Sequence, residues 1–255
     1  MTDAWGHPAS PGPPRRQGLT PRTAIWIIAG VALAVVLIRA HRFNHFEVLF
    51  YVALVPSVIL HEVSHGAVAL AFGDDTAKRA GRLTLNPIKH IDPFGTIILP
   101  ILLLISTGAA FMYAKPVPVN VSRLRNSRNS SVVVSLVGPA VNIALAVLLG
   151  FAFKAFVAPG IPRISAVEGL GPIWPQLLFV AGYANVILAA FNLIPLPPLD
   201  GSAVLERILP NSLLPGYYRI RPFTIFLPLA LIILDQNALG SAFNWVFVHY
   251  ANAVL

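Results

Sequence analysis

Cysteine is absent from the 255 residues, which excludes disulfides, thiolate catalysis and any metal site built on sulfur. Charge is scarce as well. Asp, Glu, Lys and Arg together make up 11% of the chain, where a soluble domain carries about 25%. No internal repeat is present, and no loop exceeds about 25 residues, too few for a module that folds alone. So little charge over this length excludes a disordered chain, a coiled coil and an ordinary cytosolic enzyme. What is abundant is apolar: hydrophobic residues are 56% of the chain and the mean hydropathy is +0.73. Such a composition specifies a polytopic membrane protein. The net charge of +8 then reads as topology and contact with anionic lipid. No motif supports nucleic acid as a partner.

Residues 1–23 are rich in Pro, Gly and Arg and form a disordered cytoplasmic tail on this reading. Residues 24–38 follow as a retained signal-anchor helix, since no cleavage site is evident. Further apolar runs cover residues 48–73, 94–113, 132–157, 176–195 and 223–234, and residues 238–255 have the aromatic spacing of an interfacial helix. The expected fold is all-α and polytopic, with about five transmembrane helices plus a re-entrant segment (or six helices), in one membrane-embedded domain over residues 24–255. Charge favours the re-entrant choice. If residues 94–113 cross the membrane, Lys and Arg divide nine to nine between the two sides. If they enter and leave on one face, the division is fourteen to four, as the positive-inside rule prefers. Residues 81–86 and 115–120 alternate in polarity and suggest a small β-element at the cytoplasmic membrane face.

His61-Glu62-Val63-Ser64-His65 carries the chemistry. On a helix, positions i and i+4 share a face, so both imidazoles reach one ion, and Glu62 lies beside them as a general base for water. A charge at the bilayer centre costs about 2.5–3.5 kcal/mol, so these groups inside an apolar run need a compensating cation. A hydrolytic zinc site takes three protein ligands and keeps one open position. Asp200 is the leading third ligand, at the end of a run broken by Pro195, Pro197 and Pro198. Asp74, Asp92, Asp235 and the other histidines stand as alternatives. Asn142 and Asn192 could each supply an amide to stabilise an oxyanion, or tie helices together. His41 and His45 read as interfacial, and His90 as structural.

The paired motifs resemble the site-2 protease family of intramembrane zinc metalloproteases. His61-Glu-Val-Ser-His65-Gly66 and Asn192-Leu-Ile-Pro-Leu-Pro-Pro-Leu-Asp200-Gly201 match its two metal-binding segments. Residues 81–95 (GRLTLNPIKHIDPFG) and 114–120 (AKPVPVN) are similar to the short bacterial and archaeal branch, and residues 138–142 (GPAVN) to its GPxxN helix. The likeness covers about residues 46–210, which would form the catalytic core. Ser127 and Ser202 replace a common proline and a common glycine, away from the metal positions. No PDZ or CBS domain is present. The resemblance implies one zinc ion at His61, His65 and Asp200, Glu62 as general base, and a metal within the membrane reached by water from the cytosol. The substrates would be transmembrane segments of other proteins in the cell membrane. A non-proteolytic metal-binding membrane protein and a transporter are the rival readings; a transporter predicts inverted repeats, and none is found.

Overall fold

The computed structural model describes residues 45–100, 112–157, 172–224, 230 and 236–255. Expectations for the tail, for residues 24–38, for the interior of 94–113 and for most of 223–234 fall outside the described residues.

Three helices dominate: α1 (His45–Ala71), α3 (Ser127–Phe156) and α4 (Ile173–Asn192). All three are long and apolar enough to cross a membrane, and the chain is a helical membrane protein. Their outward faces carry exposed Val52, Val55, Val147, Leu148 and Phe151, which water would penalise and lipid does not. Short elements connect them: α2 (Thr76–Arg79), α5 (Ser202–Ile208) and α6 (Leu214–Ile220), with 3₁₀ turns at Pro87–His90, Val121–Arg123 and Arg221–Phe223 and one π-helical turn at Pro93–Ile98. A last helix, α7 (Gln236–Val254), presses Phe247, Tyr250 and Val254 against the bundle.

Apolar packing is split into two clusters. One joins Leu49, Ala53 and Leu54 of α1 to Phe153 of α3, Phe179, Val180 and Tyr183 of α4, and Tyr250 of α7. Its rings meet edge-on or tilted, as Phe179 does with Phe153, Phe247 and Tyr250 at centroid distances of 5.3–5.6 Å. The other is smaller and joins Ala69, Leu124 and Val134 at the opposite end. Between them, α1 places Ser57, His61 and His65 in the interior. The polar layer is thus sealed by hydrocarbon on both sides.

The end of the bundle beyond Ala71 gathers the connecting segments. Arg125 N–H donates to the Phe72 carbonyl at 2.8 Å, and Arg207 Nε donates to Asn129 Oδ1 at 3.0 Å, so the loops after α1, before α3 and after α4 share one surface. The ends of the 94–113 segment also meet: Tyr113 N–H donates to the Gly95 carbonyl at 3.1 Å and Thr96 Oγ1 to the Tyr113 carbonyl at 2.9 Å.

The expected β-element does not form: no strand occurs among the described residues. Residues 112–120 are extended but unpaired, because their amides are committed elsewhere. Lys115 N–H goes to the His90 carbonyl (2.9 Å), Val117 N–H to Glu62 Oε2 (2.7 Å) and Asn120 N–H to Asp74 Oδ2 (2.6 Å). Pro116 and Pro118 have no N–H to give. Residues 81–86 form turns instead, since Arg82 N–H and Gly81 N–H close onto Ala77 and Lys78 carbonyls. Burial alternates only over residues 117–120, with Val117 and Val119 turned inward and Pro118 and Asn120 exposed, and without the ladder that would make a strand.

Candidate metal centre

His61 and His65 lie four residues apart on α1 and are both buried. Asp200 reaches them from the turn that follows α4. Gly201 N–H caps that turn by donating to the Asn192 carbonyl at 2.7 Å. A β-carbon at Gly201 would lie 2.3 Å from the Leu193 carbonyl oxygen, so the glycine serves close backbone approach rather than a left-handed turn.

Three atoms able to bind a metal converge. His61 Nε2 and His65 Nε2 are 3.0 Å apart, and Asp200 Oδ2 is 3.0 Å from the first and 3.4 Å from the second. The far nitrogen of each ring has an acceptor of its own. His65 Nδ1 sits 2.6 Å from the Val134 carbonyl, which can only accept, so Nδ1 carries the hydrogen. His61 Nδ1 sits 2.6 Å from Asn142 Oδ1, while Asn142 Nδ2 donates to Asn185 Oδ1, so His61 is also protonated on Nδ1. In the neutral form that binds a metal, each imidazole with its proton on Nδ1 turns an Nε2 lone pair toward the carboxylate. Asp200 Oδ2 is buried and faces the two Nε2 atoms. Three electron-pair donors facing one another repel unless a cation lies between them. Their separations match the edge of about 3.3 Å expected of a tetrahedron with zinc bonds near 2.0–2.1 Å. The donor set of two His and one carboxylate also suits zinc. Residues and group fit.

Gly138 on α3 forms the wall over this site. A β-carbon there would stand 2.5 Å from His65 Nε2 and 2.6 Å from His61 Cε1. Glu62 projects beside the trio, half-buried, with Oε2 accepting the Val117 N–H at 2.7 Å. Asn142 is fully buried, and both ends of its amide are engaged behind His61, on the side away from the converging atoms. Asn192 bonds its own helix, Nδ2 to the Leu188 carbonyl at 3.0 Å. Among the described residues, His61, His65 and Asp200 are the one group of His and acidic side chains close enough to share an ion. Asp74, an alternative ligand on sequence grounds, instead accepts bonds from Thr76 and Asn120. His90 donates through Nε2 to the Thr84 carbonyl at 2.8 Å.

The family model described as Peptidase family M50 matches residues 49–234, well over half of the chain, and that span contains every residue of this site. The chain belongs to peptidase family M50. It is a zinc-dependent intramembrane endopeptidase of the site-2 protease type. Relatives within the family agree. A Bacillus subtilis protein named zinc metalloprotease YwhC is 37% identical over 198 residues, covering 76% of this chain and 83% of the relative. Zinc metalloprotease Rip2 of Mycolicibacterium smegmatis is 33% identical over 205 residues, 76% of this chain and 73% of its own. Zinc metalloprotease MJ0611 of Methanocaldococcus jannaschii is 27% identical over 172 residues, 64% and 74%. No solved structure matches the chain. For this M50 member, sequence reasoning named the three converging side chains but missed Gly138 as the wall, Val117 as the amide on Glu62, and Asn185 behind Asn142. A polar side chain inside the apolar run of α4 was the available signal for Asn185.

Proposed function

We propose that His61, His65 and Asp200 hold the zinc ion and that Glu62 is the general base and acid of peptide hydrolysis. The convergence of three ligand-type atoms within 3.0–3.4 Å of one another, from two histidines and one carboxylate, carries this reading. When bound, zinc supplies Lewis acidity: it lowers the pKa of water and polarises a carbonyl. Glu62 lies one residue from a ligand on the same helix, held through Oε2 by the Val117 amide. That hold fixes the carboxylate so that it takes the proton of the attacking water and returns it to the leaving amine. The apolar clusters above and below the polar layer exclude bulk water and strengthen these interactions. Asn142 orients His61 rather than serving as an oxyanion donor, because its amide is engaged on both sides. Asn192 stabilises the turn that carries Asp200.

The substrates on this reading are transmembrane segments of other membrane proteins, reached laterally within lipid. The end of the bundle that gathers Arg79, Arg123, Arg125, Arg128 and Arg207 faces the cytoplasm, and the positive-inside rule supports that orientation. Residues 94–113 enter and leave on that face, which the Gly95–Tyr113 hydrogen bond supports.

Two experiments test the reading. Purified Glu62→Ala should retain zinc at the wild-type level and lose cleavage of a co-reconstituted transmembrane substrate; wild-type activity in that variant refutes the assignment. Because the chain lacks cysteine, single cysteines at Asn86 and Ser122 report sidedness cleanly. Both should react with an impermeant thiol reagent from the cytoplasmic side. Labelling from opposite sides would make 94–113 a span.

A further inference from the structure

A chain of hydrogen bonds runs from the backbone of α1 through two other helices and back to the metal centre, and its direction is fixed. It starts at the Ala53 carbonyl, which can only accept. Ser57 Oγ donates to it at 2.8 Å, so the Ser57 oxygen is left to accept from Asn185 Nδ2 at 2.9 Å. Asn185 Nδ2 also donates to the Ala181 carbonyl at 2.8 Å. Two acceptors thus pin the nitrogen of Asn185, and its Oδ1 must face the other way, toward Asn142 Nδ2 at 2.7 Å. Asn142 then turns its Oδ1 to His61 Nδ1 at 2.6 Å. Every link is an acceptor for the next donor, and the last donor is His61.

The relay is sealed. Asn142 and Asn185 are at most 1% exposed, and Ser57 is 4% exposed. Burial keeps bulk water from competing for these bonds, and a reversed amide would place two acceptors or two donors face to face. A reversed Asn142 would offer N–H to His61 Nδ1, and the imidazole would then carry its proton on Nε2, the atom that faces Asp200. Partners of this kind on the far nitrogen of a liganding histidine set its tautomer and basicity.

We infer that Asn185, on a different helix from either histidine ligand, is a positioning residue of the zinc site: with Ser57 and the Ala181 carbonyl it locks the orientation of Asn142 and so keeps the metal-facing nitrogen of His61 free of its proton. The zinc consequence rests on the metal assignment proposed above; the tautomer consequence does not.

The test uses the purified full chain. Nitrogen-15 NMR of histidine-labelled, metal-free protein reads the tautomer. His61 should show a protonated Nδ1 in the wild type and in Asn185→Asp, where a carboxyl oxygen still accepts from Asn142. It should shift toward the Nε2-protonated form in Asn185→Leu, where nothing orients Asn142. Zinc affinity, measured by chelator competition, should fall about 10- to 100-fold in Asn185→Leu and stay within about threefold of wild type in Asn185→Asp. A role in packing alone predicts the reverse order, since a buried carboxyl disturbs an apolar interior more than leucine does. An unchanged tautomer in Asn185→Leu, or equal losses in both variants, overturns the inference. If Asn185→Leu does not fold, the pair Asn142→Asp and Asn142→Leu tests the same direction, and equal zinc affinity in that pair also overturns it. A wild type that holds no zinc would defeat the metal assignment alone, because the tautomer is read without metal.

Discussion

Gly138 and His65 stand so close that no side chain fits between them: a β-carbon at position 138 would lie 2.5 Å from His65 Nε2. Glycine there lets α3 pass directly over the imidazoles of His61 and His65 on α1. The GPxxN segment therefore contributes to the site twice, through the missing side chain of Gly138 and through the amide of Asn142 one turn later.

Gly138→Ala should displace at least one imidazole. Overpacking of this kind costs about 1–3 kcal/mol, and here the atoms that must move belong to the two histidines proposed to hold zinc. Elemental analysis of the purified variant should find most of the zinc lost, with the helical circular dichroism of the wild type retained. Full zinc content would show that α3 shifts instead.

Asp200→Asn keeps the shape of the third ligand and removes its charge. Two neutral imidazoles and a neutral amide hold a dication poorly. Zinc content should fall steeply. Glu62→Gln should keep its zinc and slow cleavage by at least about 100-fold, the usual scale for a lost general base. The contrast between these two variants separates ligand from base, and zinc retention in Asp200→Asn would remove Asp200 from the metal.

Val117 acts through its backbone. Its N–H holds Glu62 Oε2, and a hydrogen bond to a charged group contributes about 1.5–3 kcal/mol. Val117→Pro deletes that donor, while Val117→Ala keeps it and removes only side-chain packing. Turnover should drop about tenfold or more in Val117→Pro relative to Val117→Ala, with zinc content equal in both. Equal turnover would free Glu62 from dependence on the extended segment.

Asp74 is a clasp outside the membrane-spanning helices. It is fully buried, which pushes its pKa up, yet the Thr76 hydroxyl, the Asn120 and Thr76 amides and the nearby Arg123 charge outweigh burial and hold it below the ordinary carboxylate value. A carboxyl depressed in the folded state contributes stability above its unfolded pKa of about 3.9, and that contribution is lost as pH falls through the folded value. Asp74→Asn should therefore be less stable than wild type at pH 7 by about 1.5–3 kcal/mol. The gap should narrow below about pH 4. Unfolding curves of both proteins across that range check it, and a gap independent of pH would show that Asp74 is not ionised in the fold.

Much was legible in advance for physical reasons. Uncharged runs long enough to cross lipid leave little choice of secondary structure, and α1, α3 and α4 fall where those runs lie. The four-residue spacing of His61 and His65 fixes a shared helix face before any tertiary contact exists. Residues 81–86 and 115–120 form no β-element, because alternation describes where side chains point and not what the amides bond. The N–H groups of Lys115, Val117 and Asn120 are drawn to the His90 carbonyl, Glu62 and Asp74, all remote in sequence.

The sequence by itself determined that this is a helical membrane protein with two histidines and a glutamate on one helical turn, since helix periodicity and the cost of burying charge are local properties of the chain. Only the tertiary structure decided that Asp200 meets them, that Gly138 makes room, and that Asn142 and Asn185 dictate which nitrogen of His61 bears the proton. Those outcomes depend on the mutual packing of α1, α3 and α4, and hydrogen-bond direction inside a dry bundle is set by the whole closed network rather than by any one residue's neighbours in sequence.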